Sequence, residues 1–104
     1  MIYVNTDLWS AQESIKIGVM KELKKKYGDL YTYENFCLSA IHQHSGPGGY
    51  SFGALYNIAT LGFSSVSYDI IVKGVVNSVI QAHENVVEGK IYYNEGKLYG
   101  ANIK

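Results

Sequence analysis

Ile2, Tyr3 and Val4 open the chain with a short apolar segment that reads as a strand ending near Asp7. A helix is predicted next. Ser10-Ala11-Gln12-Glu13 fits a capping box, Ile15, Val19, Leu23 and Tyr27 recur at four-residue spacing, and Gly28 stands where a C′ glycine belongs. Residues 35–41 are mostly apolar with polar flanks, which predicts a buried strand running straight into His42. From Tyr50 to Phe63 the pattern is ambiguous, because Gly53 and Gly62 weaken any long helix. Ile71, Val75, Val79 and Ala82 then trace the apolar stripe of a second amphipathic helix, from Ser67 to about Val86. Residues 90–94 and 97–99, joined through Glu95-Gly96, read as a hairpin. The order β-α-β-α-β-β predicts an α/β fold, a small layered arrangement of sheet and helices without internal repeat or linker.

Composition narrows this picture. A chain of 104 residues suits one small domain with little stability in reserve. Hydrophobic residues make up 47% and charged ones 17%, an apolar balance for this size, so part of the surface is expected to face a partner or further sequence. Nine acidic side chains balance nine basic ones, and every basic one is lysine. Without arginine's bidentate fork, nucleic-acid binding is disfavoured. The densest basic run, Lys24-Lys25-Lys26, closes the first predicted helix, where cations complement the macrodipole in solvent. Cys37 is the single cysteine, which excludes an internal disulfide and a cysteine zinc site, and it is expected to pack as a small apolar residue. The first residues, MIYVNTDLW, lack the features of a secretory leader, and no apolar run reaches membrane-spanning length.

The chemistry concentrates in AIHQHSGPGGY, residues 40–50. If the backbone stays extended beyond the strand, His42 and His44 share a face and Gln43 points the other way. Two imidazoles on one face suit a divalent metal such as zinc, although a catalytic zinc site takes three protein ligands. A pair of hydrogen-bonded histidines shaping a loop fits the same spacing, and on spacing alone both readings stand. Strand carboxyl ends are where open α/β sheets gather ligands. Around Pro47 the glycines Gly46, Gly48 and Gly49 let backbone approach a ligand closely. A phosphate loop is excluded by the missing Gly-Lys-Ser/Thr ending, and a nucleophile elbow by the missing Gly-x-Ser-x-Gly. Ser45 beside His44 reads as a turn residue bonding local backbone rather than a nucleophile. His83, the remaining histidine, reads as a polar surface position in mid-helix.

The run Asn35-Phe36-Cys37-Leu38-Ser39-Ala40-Ile41-His42-Gln43-His44-Ser45-Gly46-Pro47-Gly48-Gly49-Tyr50 closely resembles the signature of the neutral ceramidase family, usually written with His-Thr-His-Ser-Gly-Pro. The likeness extends to Lys26-Tyr27-Gly28-Asp29-Leu30-Tyr31, to Glu84-Asn85-Val86-Val87-Glu88-Gly89-Lys90-Ile91 and to Gly100-Ala101-Asn102-Ile103. It implies that residues 1–104 are a partial neutral-ceramidase-like catalytic domain. It also implies zinc amidohydrolase chemistry, cleaving ceramide to sphingosine and a fatty acid. By position His42 would be a zinc (Zn2+) ligand, and His44 the polar group that steadies the developing tetrahedral centre.

Gln43 stands where the family has threonine, and is expected to point away from the pair. The family's other zinc ligands (a histidine, a glutamate and a tyrosine), its serine nucleophile and its active-site arginine are expected beyond Lys104. The expected partner is therefore a ceramide-type lipid, with the chain inactive alone. Family members are typically secreted or held at a membrane surface, so the leaderless start assigns no compartment. A second expectation is a non-catalytic module, or an incomplete gene product, that self-associates through exposed apolar surface.

Overall fold

The computed structural model describes residues 1–101, so Asn102 and Ile103 of the closing match lie outside the described residues. Along the chain run strand β1 (Ile2–Thr6), helix α1 (Glu13–Tyr27), strand β2 (Phe36–Ala40), a 3-10 segment (Ala54–Thr60) and helix α2 (Ser65–Glu84). The strands pair in parallel, with Ile2 opposite Phe36 and Thr6 opposite Ala40. This mixed α/β arrangement agrees with the predicted fold class.

Pleat alternation fixes the register. Val4 and Phe36 turn inward and are buried, whereas Tyr3 and Cys37 turn outward. Cys37 is therefore exposed, contrary to the expected packing, because it shares Tyr3's face of the sheet. Ile15, Val19 and Leu23, at 0% exposure, face Val72, Val75 and Val79 of α2. Each such side chain contributes about 1.5–3 kcal/mol by leaving water. Gly18 sits where the helices meet, and a Cβ there would strike the Tyr68 hydroxyl and come within 2.8 Å of Val72 Cγ2.

Both helix starts differ from the sequence reading. Gln12, not Ser10, occupies the N-cap of α1, without a side-chain cap bond, its Oε1 accepting instead from Ser51 Oγ. Helix α2 begins earlier than expected, since the Ser64 hydroxyl accepts from the Ser67 N–H at 3.2 Å. Gly28 ends α1 as expected, at φ 61° with its N–H donating to the Lys24 carbonyl at 2.9 Å. The lysine run beside it is solvated, Lys24 meeting Asp29 at 3.1 Å and Lys25 meeting Glu22 at 2.6 Å.

Two further expectations change. His83 is half-buried rather than a surface position: its Nδ1 lies 2.7 Å from the Tyr31 hydroxyl, and its ring is 4.5 Å from that of Tyr27. The helix ends converge there, so the imidazole is taken into an aromatic cluster. Residues 90–99 form no hairpin; Ile91, Tyr92, Leu98 and Tyr99 are exposed. A two-stranded ribbon needs an apolar layer to cover, and among the described residues no helix or strand buries the side chains of this one.

Candidate active site

Strand β2 stops at Ala40, yet the chain keeps following its neighbour. The Ile41 N–H donates to the Thr6 carbonyl and the His42 N–H to the Leu8 carbonyl, both at 3.1 Å. His42 then takes φ 64°, the left-handed region, at a cost of roughly 1–2 kcal/mol for an L-residue. The extended geometry expected across residues 42–44 is therefore absent. The two rings meet all the same, with centroids 4.9 Å apart at 74°, through a local kink rather than strand alternation.

Hydrogen bonds on both flanks hold the kink. The Gln43 amide donates to the Asp7 carbonyl at 3.0 Å, and its Oε1 accepts from the Ser45 N–H at 2.6 Å. Gln43 is thus a fastener of the loop, not a bystander pointing away. The His42 Nδ1 lies 2.9 Å from the Trp9 carbonyl. A carbonyl only accepts, so this bond assigns the neutral ring's proton to Nδ1 and leaves the Nε2 lone pair free. Metal-binding histidines are commonly oriented in this way. Trp9 also sets its ring 5.8 Å from that of His42.

Beside the histidines opens a cavity of about 450 Å³, lined by His44, Trp9, Pro47, Leu55, Tyr56 and Ile58 among others. His42 stands outside the lining, touching it through His44 and Trp9. The far wall is the 3-10 segment. Asn57 sets its turn, donating to the Ser51 carbonyl at 2.6 Å while Ser51 Oγ donates to Gln12 Oε1 at 3.0 Å. Sequence reasoning missed this pair; a lone asparagine between Tyr56 and Ile58 was its only signal. Gly49, at φ 77°, accepts from the Ser64 N–H at 2.7 Å, and a Cβ there would come within 3.0 Å of the Gly62 carbonyl. Among the described residues that line the cavity there is no Asp, Glu, Lys or Arg, so its wall carries an imidazole, amides and backbone dipoles rather than full charges.

The donor chemistry fits zinc as far as it extends. His42 offers a free nitrogen with its partner fixed, and His44 brings a second imidazole. Among the described residues no group of three or more His, Cys, Asp and Glu could hold a metal ion, against the three protein ligands of a catalytic zinc site. His83 lies apart, in the helix cluster.

A family model described as neutral/alkaline non-lysosomal ceramidase, N-terminal, matches residues 1–104. Neutral ceramidase 1 of Arabidopsis thaliana is 45% identical over 103 residues, covering 99% of this chain and 13% of that protein. The neutral ceramidase of Pseudomonas aeruginosa is 40% identical over 102 residues, covering 98% of this chain and 15% of its own length. The crystal structure of a neutral ceramidase from Pseudomonas aeruginosa superposes with a TM-score of 0.77 at 43% identity, over 79% of this chain and 13% of that one. A ceramidase complexed with C2 gives 0.78 at 42%, over 81% of this chain and 13% of that one. The chain spans 13% of the Arabidopsis relative's length and 15% of the Pseudomonas relative's. Matched along its whole length in sequence and over most of it in fold, the chain belongs to the neutral/alkaline non-lysosomal ceramidase family.

Proposed function

We propose that this chain is part of a catalytic domain that hydrolyses the amide of ceramide, with zinc, to sphingosine and a free fatty acid. The observation that carries the reading is a single juxtaposition. His42 has Nδ1 committed to the Trp9 carbonyl and Nε2 free, and its ring abuts His44 on the cavity.

His42 would hold zinc through Nε2, completed by ligands outside this chain. When bound, zinc polarises an amide carbonyl and acidifies a water to a pKa of roughly 7. The Trp9 carbonyl keeps the His42 lone pair aimed in one direction. His44 donates a hydrogen bond to the amide oxygen as negative charge develops there, a contact stronger in the transition state than in the ground state. Leu55, Ile58 and Pro47 shed water around the lipid chain, strengthening the polar contacts at the reacting carbon.

The test is a chimera in which this chain replaces the matched segment of the Pseudomonas aeruginosa enzyme. Zinc-dependent release of fatty acid from a fluorescent ceramide is expected, and His44→Ala should lower the rate by about a hundredfold or more. A His42→Ala chimera that keeps its zinc and its rate would end the assignment. The 104-residue chain by itself should turn over no ceramide.

A second reading rests on Leu61 and Ile91, each 99% exposed, which favour a non-catalytic module that self-associates. Sedimentation separates the two. A monomer that binds no apolar dye counts against association.

A further inference from the structure

The Trp9–Ser10 peptide group is used at both ends. Its carbonyl oxygen accepts from His42 Nδ1 at 2.9 Å, and its N–H donates to the Tyr50 hydroxyl oxygen at 3.2 Å. A peptide is planar, with C=O and N–H pointing in opposite directions, so fixing one end fixes the aim of the other. The same hydroxyl donates to the Ser10 carbonyl at 3.1 Å, so Tyr50 grips Ser10 on both backbone groups.

Tyr50 is itself immobile. It is 3% exposed, and its own carbonyl accepts from Ser14 Oγ at 2.6 Å, inside the first turn of α1. A helix is a rigid support, and a buried tyrosine hydroxyl is retained where it finds partners. One line of hydrogen bonds thus runs from α1 through Tyr50 and the Trp9–Ser10 peptide to His42.

We infer that Tyr50 is a positioning residue whose hydroxyl holds His42 as the Nδ1–H tautomer and so keeps the Nε2 lone pair available. This rests on the reading of His42 as a metal ligand. It assigns to Tyr50 a role that its ring, packed in the core, does not require. Phenylalanine would fill the same space and leave the Ser10 N–H and the peptide plane unheld.

The experiment needs no metal. The 104-residue chain, with 15N in its histidine rings, is studied by NMR at a pH where the imidazoles are uncharged. His42 of the natural chain is expected to show a protonated Nδ1 and an unprotonated Nε2. Tyr50→Phe is expected to convert it to a mixture of tautomers and to speed exchange of the Ser10 amide by about tenfold, the scale of one lost hydrogen bond.

A Tyr50→Phe chain with lowered thermal stability but an unchanged His42 tautomer would overturn the inference while leaving His42 as a candidate ligand. A natural chain with its proton on Nε2 would sink the ligand reading, and the inference with it. Should Tyr50→Phe not fold, the Ser10 amide of the natural segment decides, read within the Pseudomonas chimera: protection well above a free peptide supports the grip, and free exchange while the Val19 and Leu23 amides stay protected overturns it.

Discussion

The molecule sets histidine among aromatic rings in two places, for opposite ends. At the carboxyl end of β2, His42 and His44 stand exposed, with His42 tied to backbone through one nitrogen and the other left open. Where α1 and α2 converge, His83 is drawn between Tyr27 and Tyr31. The same side chain keeps a ring nitrogen open in one region and supplies cohesion in the other. What separates them is the partner. A carbonyl on a fixed peptide aims the ring outward, whereas neighbouring phenols enclose it.

If that contrast holds, substitutions should divide into those that cost activity and those that cost stability. The largest effect is expected from His42→Ala in the Pseudomonas chimera. If His42 holds zinc as proposed, its loss should lower kcat/KM by about a thousandfold or more, several kcal/mol of barrier, with the thermal midpoint little changed. Steady-state kinetics and calorimetry on one preparation would read both.

Leu23→Ala should do the reverse. It opens a cavity under the helix pair at a residue with 0% exposure, costing about 2–5 kcal/mol in urea titration. His83→Ala should cost about 1–3 kcal/mol, because the Tyr31 hydroxyl and the Tyr27 ring lose their partner. Zinc content in the chimera should stay as it was. A fall in zinc content with stability intact would erase the distinction between the two regions.

Alkaline pH should weaken the helix pair first. Burial raises the pKa of Tyr31 and of Tyr68 above 10.0, with the Tyr27 phenol and Asp69 reinforcing the shifts in turn. Above that pH the unfolded chain releases phenolic protons that the folded chain keeps, so stability falls as pH rises. Full stability from these groups is expected below pH 10, and a midpoint rising from pH 9 to 11 would contradict it. The smallest effect belongs to Tyr27→Phe. The Tyr27 hydroxyl is buried without a hydrogen-bond partner among the described residues, so removing it should be neutral or stabilising by up to about 1 kcal/mol.

Local signals carried much of this architecture. The four-residue spacing from Ile15 to Tyr27, the Gly28 stop and the short apolar runs of both strands were legible because period and punctuation act over neighbouring residues. The fate of Ser10 was not. Its pattern fits a cap, but a tyrosine forty positions later competes for its backbone. His83 was misplaced for a related reason, since only the folded chain brings Tyr31 to it. At the candidate site, sequence pointed to His42 and His44, but their geometry was not legible in it. The His42 kink depends on bonds to Leu8, Trp9 and, through Gln43, Asp7, none of which periodicity can see. The predicted hairpin failed because alternation favours a ribbon only where something apolar lies beneath it.

The bond from the Ser64 N–H to the Gly49 carbonyl has an architectural consequence. It closes residues 50–63 into an excursion that leaves and returns at one point, with the histidine loop on one side of the junction and α2 on the other. Within such a closed loop, changes of length or outline need not travel outward. The stretch Ala54–Thr60 within it can therefore vary like a cassette, reshaping the far wall of the cavity, while Tyr50 and the imidazoles stay where they are.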